Sequence, residues 1–161
     1  MASPATDRPD FPAIAIAPDG TDVYVTYMSF QQPWQSTTAA PRPFQGVVRH
    51  ADVSGGAIGA WSDLNRGPSG DARGSSANAL TTEFLGDYDY AFATNDFVVA
   101  VWNDARNAAD CGPIDTYRQD VADGDAAGDA SDPTRPAPNN DCPATFGNTD
   151  IYGGSYADPT P

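Results

Sequence analysis

The sequence predicts an all-β protein with long loops, and three observations support this fold class. The first is composition: 15 Gly, 15 Pro and 22 acidic residues, all of them Asp except Glu83, stand in a chain of 161, and these residue types are poor helix formers. The second is a strand hairpin near the start of the chain. The third is a second copy of that hairpin about 75 residues later. Only 24 of the 161 residues are Leu, Ile, Val or Phe. This is less than the roughly one fifth below which a highly charged chain is suspected of disorder. We therefore expect ordered structure only in parts of the chain.

The first hairpin joins residues 13–17 to residues 22–30. The first segment reads Ala-Ile-Ala-Ile-Ala, and the second is rich in β-branched and aromatic residues, as strands are. Between them, residues 18–20 read Pro-Asp-Gly, which favours a turn because Pro presets φ and Gly accepts a positive φ. A further strand is expected at about 45–53, and a short outer strand near 57–62.

The second hairpin joins residues 88–94 to residues 97–103 through Asn-Asp, and a strand at about 149–156 follows. The run 97–102 is apolar at every position, which predicts that both of its faces are covered. A sheet with one face in water would alternate instead. Small antiparallel sheets, each lying between neighbours, are typical of a β-propeller. A β-sandwich is the alternative, and it would be expected to alternate more clearly.

The chain is therefore predicted to contain about two blades of a propeller. One blade spans 12–62 and the other spans 84–157, with an acidic loop inserted at 104–147. Residues 63–83 and 119–140 are poor in apolar residues and are predicted to be loop or disordered. Two blades cannot close a ring. We therefore expect the chain to be a segment of a larger propeller, from its C-terminal part, or to cover its open faces in a homo-oligomer.

Charge excludes two classes of partner. The net charge is −14, with eight Arg and no Lys, and so acidic a surface repels nucleic acid and anionic membranes alike. No apolar run approaches the ~18 residues that membrane insertion requires. A phosphate-binding Gly-Lys loop is excluded by the missing Lys. His50 is the only histidine, and without a Gly-x-Ser-x-Gly motif it is assigned to packing or to the surface rather than to catalysis.

The two cysteines, Cys111 and Cys142, bracket a segment rich in Asp, Gly, Pro and Asn. We predict a disulfide between them, which favours an oxidising compartment and hence a secreted protein. Two unrelated free thiols are the alternative. A zinc site is not favoured, because two Cys supply only two of the usual four ligands and His50 is far away in sequence.

A second acidic segment invites a calcium site. Asp123, Asp125 and Asp129 take positions one, three and seven of a loop resembling that of an EF-hand, but Ala127 and Thr134 occupy positions five and twelve. Clustered Asp can still bind Ca²⁺ weakly through waters. A solvated acidic loop is the favoured interpretation, and we predict no cofactor and assign no metal ligand.

Three motifs resemble the sialidase-like (BNR-repeat) β-propeller superfamily. Residues 84–88 read Phe-Leu-Gly-Asp-Tyr, residues 101–107 read Val-Trp-Asn-Asp-Ala-Arg-Asn, and residues 150–152 read Asp-Ile-Tyr. Bacterial secreted members often read F-x-G-D-Y, V-W-x-D-x-R and D-I-(Y/F). The similarity covers about 84–107 well and 149–152 loosely, and no Ser-x-Asp-x-Gly-x-x-Trp box is present. The resemblance implies a secreted propeller that acts on, or binds, extracellular glycans or glycoproteins.

The resemblance also implies roles for particular residues. If the parent protein is catalytic, it would be an exo-sialidase-like glycoside hydrolase, with Tyr88 as nucleophile, Glu83 as its base and Asp87 beside them. Arg106 and Asp104 would contact an acidic sugar. In the alternative interpretation, Asp104 and Arg106 are a structural pair and Asp87 caps a turn. We expect the chain in isolation to be inactive.

The loop 31–44 carries a candidate sugar-binding platform. Phe30, Trp34 and Phe44 lie among Gln, Ser and Thr, and an aromatic ring can cover the apolar face of a pyranose. Alternatively these aromatic side chains fold back over the edge of the blade. The sequence thus leaves two functions open, a glycan-processing segment and a non-catalytic propeller that serves in binding or adhesion.

Overall fold

The computed structural model describes residues 3–77, 79–124 and 135–160. They form two antiparallel sheets, and two helices lie between the last two strands of the second sheet. The first sheet has the order β1-β2-β3-β4, and two further short strands, β5 and β6, also pair with β3. Its strands are β1 (Arg8–Ile16), β2 (Asp22–Phe30), β3 (Pro43–Ser54), β4 (Ala57–Ile58), β5 (Ser62–Arg66) and β6 (Gly70–Asp71). The second sheet has the order β7-β8-β9. Its strands are β7 (Tyr90–Ala93), β8 (Phe97–Asp104) and β9 (Asp150–Ala157).

The all-β fold class and both hairpins are confirmed. β2 has the bounds predicted for it, β8 ends one residue later than predicted, and β9 is shifted by one residue at both ends. β1 starts at Arg8, five residues before the predicted start at residue 13. The predicted outer strand at 57–62 is divided: β4 pairs with the end of β3, and β5 starts at Ser62 and pairs with the middle of β3. Local periodicity and turn chemistry are sufficient to locate these strands.

Two predicted loops contain regular structure, which corrects the sequence interpretation. Residues 63–83 include most of β5, all of β6 and a 3₁₀ turn, Ala72–Gly74. The segment 104–147 includes α1 (Gly112–Asp123) and α2 (Pro138–Asp141). α1 starts with a Pro in its first turn, where the missing N–H costs nothing, and it ends at Gly124 in the left-handed conformation. Tertiary burial of Ile114 and Tyr117 outweighs the low helix propensity of its Asp residues.

The disulfide between Cys111 and Cys142 is confirmed. It fastens the start of α1 to the end of α2, next to a small cluster of Leu80, Ile114 and Tyr117. A disulfide is consistent with an extracellular protein. Within the described ranges, no helix is long and apolar enough to cross a membrane.

The two sheets pack face to face and share one core. Ala15, Tyr24 and Val48 of the first sheet meet Val98 and Trp102 of the second in a single buried cluster. Contact between neighbouring sheets of this kind occurs in propellers and in sandwiches alike. The packing therefore establishes the all-β class and the position of the core.

The strands run between two ends of the molecule, which carry different features. The hairpin turns at 17–21 and 94–96 meet at one end, where the Asp19 N–H donates to Asn95 Oδ1 at 3.3 Å. We call this the turn end. The long connections after β2 and β8, and the segment before β7, lie at the opposite end, which we call the loop end.

The prediction that both faces of the run 97–102 are covered is wrong for the part of the chain that the structure describes. Val98, Ala100 and Trp102 are buried against the first sheet, but Val99 is 38% exposed. On the same outer face, Phe92 pairs with Val99 and is 66% exposed. An apolar run indicates that a strand has to be covered, but it does not identify what covers it.

Candidate functional site

The loop end holds an open cleft of about 550 Å³. Its walls come from the start of β1, the end of β2, the loop that follows β2, and the segment before β7. The lining residues are Arg8, Pro9, Asp10, Phe30, Gln32, Pro33, Trp34, Gln35, Arg42 and Glu83. We call this the loop-end cleft.

Trp34 is the most exposed large hydrophobic side chain of the cleft, with 84% of its surface accessible to solvent. The other two aromatic residues of the predicted platform behave differently. Phe44 is buried, and Phe30 is half-buried against it with ring centroids 5.5 Å apart. The structure therefore brings Trp34 and Phe30 to the cleft and folds Phe44 into the core.

Arg42 organises the loop that carries Trp34. Its guanidinium donates to the main-chain oxygens of Thr38 at 3.2 Å, Thr37 at 3.3 Å and Gln35 at 3.4 Å. The same guanidinium forms an ion pair with Glu83. Glu83, which the family resemblance casts as a general base, thus serves as the counter-ion that holds this arginine in place.

The opposite wall of the cleft carries a second pair of charges, Arg8 and Asp10. Both are exposed near the start of β1. The Phe11 N–H donates to Asp10 Oδ1 at 3.0 Å, and Phe11 itself has a positive φ of 49°. This backbone conformation is unusual for a residue with a Cβ, and it coincides with the irregularity in the pairing of β1 with β2.

Asp89 is a functional candidate that the sequence reasoning missed. It is buried just before β7, and one of its oxygens accepts from the Asn103 N–H at 3.3 Å. The other oxygen has no hydrogen-bond partner within the described ranges. Burial, helped by the nearby charge of Asp10, raises the pKa of the Asp89 carboxyl to about 6. The two-residue alternation is the signal that could have found it, since Asp89, Ala91 and Ala93 share one face of an extended chain.

Arg106 and Asp104 form a close pair at a separate place. Arg106 Nε and Nη2 lie 2.9 and 2.5 Å from the two Asp104 oxygens, and the Arg106 backbone N–H donates to Oδ1 at 2.7 Å. The guanidinium carbon lies 3.9 Å from the centroid of the Tyr152 ring, and the Tyr152 hydroxyl accepts from Asn107 at 2.9 Å. These contacts tie the end of β8 to β9, as the structural interpretation of the pair expects.

Asp87 and Tyr88 are exposed on the segment that leads into β7. Glu83 and Trp34 line the loop-end cleft, whereas Arg106 faces a smaller cleft of about 170 Å³ beside Trp102 and Tyr156. The predicted site residues are thus divided between two places. The catalytic roles suggested for Glu83, Asp87 and Tyr88 stay predictions.

The predicted calcium loop lies largely outside the described residues. Of its carboxylates, Asp123 belongs to α1 and accepts from the Gln119 side chain at 3.1 and 3.2 Å. Asp125 and Asp129 fall in the undescribed range.

The loop-end cleft can therefore offer an aromatic face, amide groups and charges of both signs to a polar ligand. Known protein families, curated proteins and solved structures give no match to this chain. The functional argument consequently depends on the chain's own residues and their geometry.

Proposed function

We propose that this protein binds glycans in the loop-end cleft and does so without catalysis. The observation that carries the proposal is the exposure of Trp34, which stands at 84% accessibility among amide and charged side chains. Among the exposed large hydrophobic side chains of the described residues, Trp34 is the one that lines this cleft. An aromatic ring at such a place offers a rigid apolar face to a ligand.

The chemistry of the cleft suits a sugar. A Trp ring can stack on the apolar face of a pyranose, and Gln32 and Gln35 supply both donors and acceptors for its hydroxyl groups. Arg8 adds a cation that can pair with a carboxylate of an acidic sugar. The volume of about 550 Å³ lies within the roughly 300–1,000 Å³ of ligand pockets.

Two contacts favour binding over hydrolysis. Glu83 is engaged by Arg42 in an ion pair, which leaves this carboxylate less available to contact a tyrosine nucleophile or a substrate. Arg106 is engaged by both oxygens of Asp104, which leaves that guanidinium fewer donors for a substrate. The proposed role is therefore that of a binding or adhesion module rather than an exo-sialidase.

We further propose that the two sheets are neighbouring blades of a sialidase-like propeller in an extracellular protein. Support comes from the apolar outer faces: Ile14 and Ile16 are exposed on the first sheet, and Tyr90, Phe92 and Ile151 on the second. Further blades, or a second copy of the chain, would cover them. Analytical ultracentrifugation separates the two, since a stable dimer supports the second copy and a monomer contradicts it.

The glycan proposal is tested by array screening of the full chain, followed by calorimetry with the best-binding glycan. We expect Trp34→Ala to weaken binding at least about tenfold. Stacking of a nucleobase on one aromatic ring contributes on the order of 1–3 kcal/mol, and we expect a comparable contribution from a sugar ring on Trp34. Trp34→Phe should retain part of the affinity. Phe84→Ala, which removes another exposed aromatic side chain that does not line the cleft, is the matched control and should bind as the wild type does. Equal affinity of Trp34→Ala and wild type would overturn the proposal.

A further inference from the structure

The only histidine of the chain is buried among three carboxylates at the turn end. His50, on β3, is 2% exposed. Its Nε2 lies 2.7 Å from Asp22 Oδ1, 3.7 Å from Asp158 Oδ1 and 3.8 Å from Asp52 Oδ1. We call these four residues the turn-end cluster.

The sheet pairing explains why these residues meet. Asp22 starts β2 and pairs with Asp52 of β3, while Tyr24 pairs with His50. His50 and Asp52 are two residues apart and therefore share a face of their strand. Asp158 follows β9 of the second sheet, where its N–H donates to the Asp96 main-chain oxygen at 2.8 Å. The turn-end cluster thus joins one sheet to the other.

The turn-end cluster gathers three carboxylates around one imidazole. Asp22 and Asp158 are buried, and a buried carboxylate is costly unless it is paired or hydrogen-bonded. The Thr21 hydroxyl donates to Asp22, and the Thr160 N–H donates to Asp158 at 2.9 Å. Among the described residues, six arginines pair with carboxylates that lie outside the cluster, namely Arg42, Arg49, Arg66, Arg73, Arg106 and Arg118. A bound cation would place positive charge beside the three carboxylates of the cluster.

A second, independent observation indicates a ligand at this place. The Tyr24 hydroxyl is fully buried and has no hydrogen-bond partner among the residues that the structure describes, although buried hydroxyl groups are normally satisfied. The Tyr24 ring lies 5.0 Å from the His50 ring. Tyr24 is the cross-strand neighbour of His50, so its side chain lies beside the cluster, where the water shell of a bound ion could satisfy the hydroxyl.

We propose that Asp22, His50 and Asp52 bind one divalent cation of the Zn²⁺ or Mn²⁺ class, because one ligand atom of each lies within 4.8 Å of the others. One imidazole nitrogen and two carboxylate oxygens, with water completing the coordination, are a donor set for such borderline ions, and Ca²⁺ and Mg²⁺ would prefer oxygen alone. In a tetrahedral site with bonds of about 2.0–2.1 Å, ligand atoms lie ~3.3 Å apart, and Nε2 lies 2.7 and 3.8 Å from the oxygens of Asp22 and Asp52. Asp158, whose Oδ1 lies 3.7 Å from Nε2, would be an outer partner of the ion, contributed by the chain that follows the second sheet.

The test is calorimetric titration of the EDTA-treated full chain with Zn²⁺ and, separately, with Mn²⁺ and Ca²⁺. We expect one Zn²⁺ or Mn²⁺ per chain, weaker binding of Ca²⁺, and a rise in Tm of about 5 °C with saturating metal, because an ion that binds only the native state stabilises it. Bound Co²⁺ should give visible absorption bands typical of a site with one nitrogen ligand. Addition of Zn²⁺ should displace the Co²⁺ and abolish these bands.

Variants locate the site. His50→Gln and Asp158→Asn should weaken Zn²⁺ binding at least about tenfold, since even loss of an outer-shell partner costs 10–100-fold. Asp150→Asn, at the loop end of the same β9 strand and exposed, is the control for unspecific attraction by an acidic protein and should bind normally. If the buried variants do not fold, Asp52→Asn serves instead, because Asp52 is the exposed member of the cluster. Absence of stoichiometric Zn²⁺ or Mn²⁺ binding by the wild type, or unchanged binding by Asp52→Asn and His50→Gln together, overturns the proposal. Glycan binding at the opposite end of the strands does not enter into any of these outcomes.

Discussion

β2 and β8 are the second strands of the two hairpins, yet β2, which contains more polar residues, is the more completely buried of the two. β2 contains the polar residues Asp22, Thr26 and Ser29 and is buried along both faces. β8 begins with an uninterrupted apolar run, and Val99 on its outer face is exposed. The neighbours of a strand, rather than its own composition, decide whether its second face is covered.

The outer face of β2 is covered by the chain that follows and precedes it. Val25 and Tyr27 pack with Val47 and Trp61, and the Tyr27 hydroxyl donates to Asp7 at 2.6 Å. Asp7 in turn accepts two hydrogen bonds from Arg66. The outer face of β8 has the exposed side chains of Phe92 and Ile151 as neighbours instead.

The strongest test of this contrast compares adjacent residues of β8. Val98→Ala removes two methyl groups from the fully buried face between the sheets and should lower the free energy of unfolding by about 2–3 kcal/mol. Val99→Ala, the same change on the exposed face, should cost less than about 1 kcal/mol. Equilibrium denaturation in guanidinium chloride measures both. Equal losses would show that the outer face is as well covered as the inner one.

The next largest expected effect is the pH dependence of stability that arises from a buried carboxyl group, and here Asp7 beside the first sheet differs from Asp89 beside the second. Burial raises the pKa of Asp7, but hydrogen bonds from Arg66 and Tyr27 outweigh it and hold the Asp7 pKa below its usual range. Asp89 lacks such partners, and its pKa is raised to about 6. Between about pH 4 and pH 6 the folded state therefore binds more protons at Asp89 than the unfolded state does. Its contribution to stability falls as pH rises through this window.

Asp89→Asn removes this titration while an amide oxygen can still accept from the Asn103 N–H. We expect the variant to exceed the wild type in free energy of unfolding by about 2–3 kcal/mol at pH 7.5, because the pKa of about 6 lies roughly two units above the usual value and each unit corresponds to about 1.4 kcal/mol. The difference should disappear near pH 4, where Asp89 is protonated in the wild type. Thermal unfolding at both pH values measures it. A difference that does not depend on pH would contradict the assignment to ionisation.

The smallest expected effect is the change in the free energy of unfolding when a single tyrosine hydroxyl is removed from the outer face of either sheet. Tyr27→Phe removes the hydrogen bond to Asp7 and should cost about 1–2 kcal/mol. Tyr90→Phe, on the exposed face of β7, should change the free energy of unfolding by less than about 0.5 kcal/mol. Urea denaturation of the two variants beside the wild type measures both values. A Tyr27→Phe variant as stable as the wild type would mean that Arg66 alone satisfies Asp7.

Much of the fold could be predicted from local patterns. Pro18, Asp19 and Gly20 favour a turn wherever they occur, and alternating apolar residues around them extend into strands, so the first hairpin is found in its predicted place. The Cys111–Cys142 disulfide was also predictable from two cysteines alone. α1 was not, because its Asp residues disfavour a helix and only the packing of Ile114 and Tyr117 stabilises it.

The sequence by itself thus determined the two hairpins, their turns and the all-β class, since these depend on residues within a few positions of one another. Only the tertiary structure decided which distant side chains meet. Arg42 pairs with Glu83, which lies 41 residues further along the chain. His50 of one sheet lies beside Asp158 of the other. The physical reason is that strand register and sheet packing, which depend on the whole chain, bring residues far apart in sequence within hydrogen-bonding distance.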